Sequence, residues 1–378
     1  METWSPNVCD TEKKRDQETL ARLLGDISWI IRCDAAQALE RVGDTKCIEP
    51  LAKALLEDES TRVRAQAAQA LGRIRDNQAI DSLTQALKDE DSFVRAQAAQ
   101  ALGRIGDNKA VEALSKALTD RDDLVRGRAI EALGKIGDVR AIYPLIRILS
   151  DKDLSIHAIH ALGKIGPPII EPVLAAVAAD RSLCMAAAEA LRRTGTDSVY
   201  RLIEALGHSN AYARVAAATA LGQLADNVAI RPLLETAAGN HAVWFATTQA
   251  LKQLGQTAID TLVQGLGDNN VHMRQCAADT LGKIGDNAVV EPLLKALTDS
   301  DGGVRASAAE ALGQIGDNRA IKPLLEAMRD TDTQVCESAA VALGRISAPA
   351  SQLSPKDVAD IHMHWRSQCN DLIATPEK

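Results

Sequence analysis

Two histidines three positions apart, His157 and His160, have the spacing in this chain that best suits metal chemistry, and Asp153 precedes them by four residues. Side chains at such offsets share one face of a helix, where two imidazoles and a carboxylate could hold a metal ion. A zinc site needs a further ligand, which the sequence does not fix. Two other groups have the same shortage: His272 with Cys276 and Asp279, and His362 and His364 with Cys369. We therefore predict no metal site and no catalytic residue.

The other chemistry-bearing patterns are equally sparse. Seven cysteines lie at irregular spacings without a Cys-x-x-Cys motif. An odd number of cysteines in such a pattern predicts reduced thiols, most of them small buried apolar residues. The phosphate-binding motif G-x-x-x-x-G-K-[ST] and the nucleophile motif G-x-S-x-G do not occur. Enzymatic function is therefore disfavoured.

Charge and hydropathy limit the classes of partner that the chain could bind. The chain carries 43 basic and 51 acidic residues, well mixed, for a net charge of −8. A reader of the phosphate backbone would show a basic stripe or a high pI, so we predict no nucleic-acid partner. No run approaches the roughly eighteen apolar residues that cross a bilayer, and the N-terminus lacks the pattern of a signal peptide. These features predict a cytoplasmic protein without membrane insertion.

The elements that must position these side chains repeat along the chain. A leucine in the context Ala-Leu-Gly recurs, with local variation, every 29 to 32 residues, at positions 39, 71, 102, 133, 162, 191, 221, 251, 281, 312 and 343. Such a period over eleven copies is typical of a solenoid in which one supersecondary unit is stacked. The low aromatic content, 2%, favours closely packed helices over strands. We predict an all-α solenoid, or superhelix, of about eleven two-helix repeats with terminal capping helices.

The third copy shows the anatomy of one unit. Apolar residues at helical spacing define a first helix over 79–87, and a polar turn follows over 88–92. A second helix runs from Val94 to Ile105 and ends at Gly106, where a positive φ is expected. Asp107 then caps the next first helix. Pairs of alanines such as Ala98 and Ala99 predict close approach between adjacent second helices.

Residues 89–107, DEDSFVRAQAAQALGRIGD, resemble the short HEAT repeat of the phycobilisome-lyase type, and the resemblance spans about residues 18–347. It implies that the second helices line a concave inner face and that the protein serves as an interaction scaffold. A subset of that family are bilin lyases, which load or remove open-chain tetrapyrroles on phycobiliproteins. HEAT-type di-iron hydroxylases carry His-Glu steps, and this chain has none.

Two columns of charge accompany the repeat leucine. Arginine stands seven residues before it and aspartate thirteen before it in six repeats, and both are lost in the fifth, sixth and eighth. This joint loss predicts that the two side chains contact each other or a partner in the neighbouring repeat. The capping aspartate of the linker is replaced after the same three repeats by Pro167, Thr196 and Gln256. Two explanations stay open: drift tolerated by a long stack, or a bend or binding pocket that displaced the consensus.

A binding stripe is predicted on the second helices. Positions two before the arginine column, and two and five after it, are three or four residues apart and share one helix face. The candidate binding residues on this stripe are Phe93, Gln97, Leu124, Arg128, Glu131, Asp153, His157, His160, Tyr212 and His272. Surface aromatics, arginine and histidine in a groove are typical of recognition sites.

We therefore predict a non-catalytic scaffold or adaptor that binds another protein on its concave face and needs no cofactor. Under a first alternative, the protein is a bilin lyase or a similar chromophore-handling factor. It would bind a phycobilin transiently, act on a phycobiliprotein subunit, and hold the propionates and pyrrole nitrogens with Arg128, His157 and their neighbours. Under a second alternative, exposed cysteines deliver a metal or an iron–sulfur cluster. The expected organisation is a disordered segment over 1–9, the solenoid over 10–347, a capping helix over 348–373 and a disordered tail over 374–378.

Overall fold

The computed structural model describes residues 16–237 and 241–346, with the backbone alone for His241 and Ala242. The regular structure within these ranges is entirely helical, which confirms the all-α prediction. The segments predicted over 1–9, 348–373 and 374–378 lie outside the described residues. The chain divides into two compact units, Met1–Ser198 and Val199–Lys378.

Within residues 16–198, the first unit shows six antiparallel helix pairs, in which odd-numbered helices are the first of each pair and even-numbered helices the second. The first helices are α1 (Gln17–Leu23), α3 (Ile48–Glu57), α5 (Ile80–Ala86), α7 (Val111–Ala117), α9 (Ile142–Ile148) and α11 (Ile170–Ala179). The second helices are α2 (Trp29–Val42), α4 (Thr61–Ile74), α6 (Ser92–Ile105), α8 (Asp123–Ile136), α10 (Ser155–Ile165) and α12 (Cys184–Arg192).

The described residues of the second unit form five pairs of the same kind. Its first helices are α13 (Val199–Ala205), α15 (Ile230–Thr236), α17 (Ile259–Gly265), α19 (Val290–Ala296) and α21 (Ile321–Ala327). Its second helices are α14 (Ala211–Leu224), α16 (His241–Leu254), α18 (Val271–Ile284), α20 (Gly302–Ile315) and α22 (Thr333–Arg345). Each unit is therefore an α-solenoid, with the helix pairs that the repeat period predicts.

The ends of α6 follow from its sequence. The Asp91 carboxylate accepts the backbone N–H groups of Phe93 and Val94 and so caps the first turn. Gly106 ends the helix with a φ of 81°, as predicted. Asp107 then accepts the N–H of Lys109 at the start of the short 3₁₀ turn Asn108–Ala110, which leads into α7. The linker aspartates at 44, 76, 138, 226, 286 and 317 make the same cap.

Glycine sets the spacing of neighbouring second helices. A Cβ placed on Gly103 would lie 2.7 Å from the Cα of Ala132 in the next second helix, a distance that side chains do not tolerate. The corresponding distance from a Cβ on Gly72 to the Cα of Ala101 is 2.6 Å, and that from a Cβ on Gly313 to the Cα of Ala342 is 2.5 Å. The predicted alanine pair Ala98 and Ala99 is fully buried. The Leu-Gly and Ala-Ala steps of the repeat are therefore both required for close stacking.

The arginine and aspartate columns form a ladder between neighbouring repeats. Nε and Nη2 of Arg95 donate to the two carboxylate oxygens of Asp120 in the next repeat, at 2.7 and 2.8 Å. Its Nη1 donates to the backbone carbonyl of Asp89 in its own repeat at 2.8 Å. The other rungs are Arg32–Asp58, Arg64–Asp89, Arg274–Asp299 and Arg305–Asp330. The predicted contact with a partner in the neighbouring repeat is confirmed.

The degenerate repeats differ from the regular ones in their second helices. The helices α10 and α12 have 11 and 9 residues, whereas α4, α6 and α8 have 14. Buried Leu149 replaces the aspartate that would pair with Arg126, which turns instead to Asp123. In the eighth repeat Trp244 replaces the arginine, and its indole N–H donates to Asp279 of α18 at 3.4 Å.

Candidate functional site

Four side chains of α6 face the solvent along one stripe: Phe93, Gln97, Gln100 and Arg104. Their offsets of four, three and four residues place them on one stripe of the helix. Val94, Ala98 and Leu102 point to the opposite side and are fully buried. We call the corresponding four positions of α2, α4, α6, α8, α10 and α12 the second-helix face of the first unit.

The predicted binding residues of the first unit fall at positions of this face, although Asp153 lies in the turn just before α10. Phe93 and Leu124 are 50% and 47% exposed. Gln97, Arg128 and Glu131 are half-buried, and Asp153, His157 and His160 are exposed. Neighbouring members of the face touch, because Nη1 of Arg193 lies 3.2 Å from Nδ1 of His160 in the preceding repeat. The predicted offsets therefore bring these residues onto one surface.

The stripe does not continue in the same form in the second unit. Tyr212 and His272 are exposed, but Ala216 and Cys276, predicted beside them, are fully buried. The fixed offsets of the predicted stripe therefore fail at Ala216 and Cys276. Val215 and Gln275 are half-buried at the neighbouring position, where Ala65 and Ala96 are buried in the regular repeats. The larger side chain stays partly in solvent, and the smaller neighbour packs inward instead.

The first position of the face is apolar in three of the six repeats, and we call Ile30, Phe93 and Leu124 the apolar edge. Ile30 is 51% exposed there, in line with Phe93 and Leu124 of later repeats. In the second repeat the position is Arg62, whose guanidinium lies 5.5 Å from the centre of the Trp29 ring in a cation–π contact. Repeats five and six begin their second helices later and expose Ile156 and Met185, each placed three residues further along the repeat.

The middle of the face is polar and internally hydrogen-bonded. Glu40 accepts from the amides of Gln66 and Gln69 in the next repeat, at 3.0 and 3.1 Å. Glu131 pairs with Lys135 at 2.7 Å and with Arg128 at 3.1 Å. These contacts, that with Lys135 first, hold the pKa of Glu131 below its usual value. Arg128 therefore already has a carboxylate partner within its own helix.

The fourth position of the face forms a basic edge that the sequence reasoning missed. All six repeats of the first unit carry a cation there: Arg41, Arg73, Arg104, Lys135, Lys164 and Arg193. Lys135 and Arg193 pair with Glu131 and Glu189. Arg73, Arg104 and Lys164 have no ion-pair partner among the described residues. The signal is present in the sequence as a basic residue two positions after each of the first six repeat leucines.

A basic residue in the last turn of a helix is favoured by the helix dipole, which offers a structural explanation for this edge. The second unit argues against it as the full explanation. There the same position reads Gln223, Gln253, Lys283, Gln314 and Arg345. The helices α14 and α20 have the 14 residues and the left-handed C-terminal residue of α4 and α6 but carry glutamine there, so the fold does not require a cation at this position. The unbroken basic row is a property of the first unit.

The cysteines and histidines do not form a metal centre in the described part of the chain, where no three His, Cys, Asp or Glu side chains converge. Cys47, Cys184, Cys276 and Cys336 are buried, as predicted, and Cys33 is half-buried. Burial raises the pKa of these thiols, to about 12 for Cys276, away from the thiolate that binds metals. Delivery of a cluster by exposed cysteines finds no support in these five residues.

The stacked helix pairs and the repeated second-helix face define a protein of the α-solenoid class. The family model for HEAT repeats matches residues 17–103, 80–163, 237–303 and 290–354, which together cover more than half of the chain. The chain therefore belongs to the HEAT-repeat family. No curated protein sequence matches it.

Several solved structures resemble the chain. An engineered protein is 23% identical, with 88% of this chain and 99% of that chain covered and a TM-score of 0.34. Human deoxyhypusine hydroxylase in complex with glycerol is 23% identical, with 80% and 96% covered and a TM-score of 0.28. The complex of CpcE and CpcF of phycocyanin lyase from Nostoc sp. PCC7120 is 23% identical, with 79% and 94% covered and a TM-score of 0.27. No functional conclusion about this chain follows from these likenesses.

Among the described residues, no single helix has the length and apolar composition to span a membrane. One bent pair, Ser155–Ile165 with Pro167–Ala179 at 118°, would meet those two criteria only if taken together.

Proposed function

We propose that this protein is a non-catalytic interaction scaffold that binds a partner protein on the second-helix face of the first unit. The observation that carries the proposal is the apolar edge, where Ile30, Phe93 and Leu124 are about half exposed at equivalent positions of their repeats. Large apolar side chains aligned on a surface are typical of protein-binding sites. Burying them against a partner would remove this apolar area from water.

The solenoid supports the proposal through its regular spacing. Adjacent packed helices lie about 8–10 Å apart, so equivalent side chains of successive repeats recur at that interval. The glycine–alanine contacts between second helices hold this spacing within the first unit. A partner would therefore meet a preorganised row of contacts, which lowers the ordering entropy lost on binding.

The test is affinity capture from an extract of the source cells with the full chain as bait. We expect a partner retained by the wild-type chain to be lost with the double variant Phe93→Ala/Leu124→Ala. The matched control is Tyr143→Ala, because Tyr143 is 65% exposed on the first helix α9 and lies off the second-helix face. Retention by the double variant, or equal loss with the control, would contradict the proposed site.

The bilin-handling alternative stays a prediction that rests on the sequence resemblance. It expected Arg128 to hold a propionate, but its guanidinium is engaged by Glu131 at 3.1 Å. Mixing the purified chain with a bilin and recording absorbance tests it directly. A red-shifted spectrum that disappears in Arg128→Gln would support bilin binding, and an unchanged spectrum would oppose it.

A further inference from the structure

The second-helix face has two chemically different edges. The apolar edge consists of Ile30, Phe93 and Leu124, at the first position of repeats one, three and four, and the basic edge occupies the fourth position of all six repeats, eleven residues later. At 1.5 Å per residue, the edges lie about 16 Å apart and run parallel across the stacked helices. The chain as a whole carries a net charge of −8, so the basic edge is a local concentration against the average.

We propose that the occupant of this face is an acidic amphipathic segment of the partner protein. Its apolar side chains would lie against Phe93 and Leu124, and its carboxylates against Arg73, Arg104 and Lys164. This inference rests on the proposed function and adds the chemistry of the partner.

Charge complementarity is clearest on α4 and α6. These two helices contain no aspartate or glutamate, and their solvent-facing middle positions are the glutamines Gln66, Gln69, Gln97 and Gln100. Glu40 of the preceding repeat accepts hydrogen bonds from Gln66 and Gln69 and forms no ion pair with Arg73. Arg73 and Arg104 thus keep uncompensated positive charge, which attracts carboxylates and repels basic segments.

The arrangement favours a protein over a nucleic acid. Duplex DNA carries one negative charge per roughly 1.7 Å of axis, whereas the cations of the basic edge recur only once per repeat, at about 8–10 Å. The apolar edge beside them has no counterpart on a phosphate backbone. Carboxylates alternating with apolar side chains on a protein segment match both edges at once.

A site-specific crosslink identifies the occupant directly. The full chain carries p-benzoylphenylalanine in place of Gln97, which lies between the two edges, and is irradiated in an extract of the source cells. Mass spectrometry then gives the sequence of the crosslinked partner segment. We expect a segment with several aspartates or glutamates, few basic residues and interspersed apolar residues.

Charge reversal provides the second measurement. In the Gln97-substituted chain, Arg73→Glu/Arg104→Glu should lower the crosslink yield at least tenfold. Lys88→Glu/Lys109→Glu is the matched control, because these exposed lysines lie outside the second helices and the net charge changes equally. It should leave the yield within about twofold. Thermal melts confirm that both double variants stay folded.

The outcomes separate the inference from the proposed function. A neutral or basic crosslinked segment, or a yield insensitive to Arg73→Glu/Arg104→Glu, overturns the acidic partner while the protein-binding face stands. A nuclease-sensitive adduct overturns the inference in favour of nucleic acid. If the chain with wild-type edges yields no crosslinked protein, both the acidic partner and the protein-binding face are overturned.

Discussion

Single side chains of the ladder join one repeat to the next. The guanidinium of Arg95 is almost fully buried and is satisfied by one carboxylate and two backbone carbonyls. A buried charge is tolerated only with such partners, because desolvation alone would cost several kcal/mol. The rungs therefore fix the register between helix pairs, and their absence after Arg126 coincides with the shortened α10.

Asp120→Asn removes the charge of one rung and leaves Arg95 buried without a counter-ion. We expect the free energy of unfolding of the first unit to fall by about 3 kcal/mol. Urea titration followed by circular dichroism measures the loss. Asp153→Asn, at an exposed position without an ion pair among the described residues, serves as control and should change stability by less than about 0.5 kcal/mol. Equal effects of the two variants would contradict the role of the rung.

The same rung predicts a pH dependence. The hydrogen bond from Arg95 lowers the pKa of Asp120, and that from Arg305 lowers the pKa of Asp330. A folded-state pKa below the unfolded value of about 3.9 stabilises the protein above that pH, and the contribution disappears as the pH falls through the folded value. The difference between wild type and Asp120→Asn should therefore be constant from pH 7 to about 5 and shrink below pH 4. A difference that stays constant down to pH 3 would exclude this linkage.

Backbone conformation offers a stabilising change at one residue. Ala225 ends α14 with a φ of 55°, in the left-handed region where Gly285 ends α18 with a φ of 78°. A Cβ there costs about 1–2 kcal/mol, which the larger unfolded-state entropy of glycine partly offsets. Ala225→Gly should raise the urea midpoint, with a gain of about 0.5 kcal/mol, and Gly285→Ala should lower it. A loss of stability in Ala225→Gly would show that the strain is relieved elsewhere.

At the scale of the helix, regular features were predictable and packing choices were not. The helix pairs were predictable from the repeat period, the apolar spacing and the end signals Gly106 and Asp107, because each of these is a local signal. The burial of Ala216 and Cys276 depends on the bulk of Val215 and Gln275 beside them, which a fixed offset ignores. The late start of α10 at Ser155 coincides with the replacement of the ladder aspartate by Leu149, which the local pattern of α10 does not signal.

Gly103→Ala tests the spacing of second helices. The new Cβ would meet Cα and Cβ of Ala132 at 2.7 Å, so α6 and α8 must separate. We expect a net loss of about 2 kcal/mol, because overpacking exceeds the gain in helix propensity. The control Gly127→Ala, also inside a second helix, meets only Leu154 at 4.0 Å and should be neutral or stabilising by up to about 1 kcal/mol. The urea midpoint should therefore fall in Gly103→Ala and stay unchanged or rise in Gly127→Ala.

At the scale of the whole chain, the net charge does not reveal the basic edge of the first unit. A net charge of −8 with well-mixed charges predicted the absence of a basic stripe, yet Arg73, Arg104 and their equivalents form one. The acidic residues that offset it lie elsewhere, many of them as caps and ladder carboxylates such as Asp107 and Asp120. Composition reports the sum of charges, whereas recognition depends on which helix face carries them.

The solenoid architecture also predicts how far a destabilising substitution acts along the chain. In a stack stabilised by nearest-neighbour contacts, a perturbation weakens adjacent repeats and decays with distance along the chain. Gly103→Ala should therefore accelerate amide hydrogen exchange in α5 to α8 and leave the second unit at the wild-type rate. Gly313→Ala, with a 2.5 Å clash against Ala342, should accelerate exchange around α20 and α22 and spare the first unit. Hydrogen exchange read by mass spectrometry makes the comparison. A uniform increase across both units in either variant would mean that the chain unfolds as one cooperative body, and nearest-neighbour energetics would then not describe it.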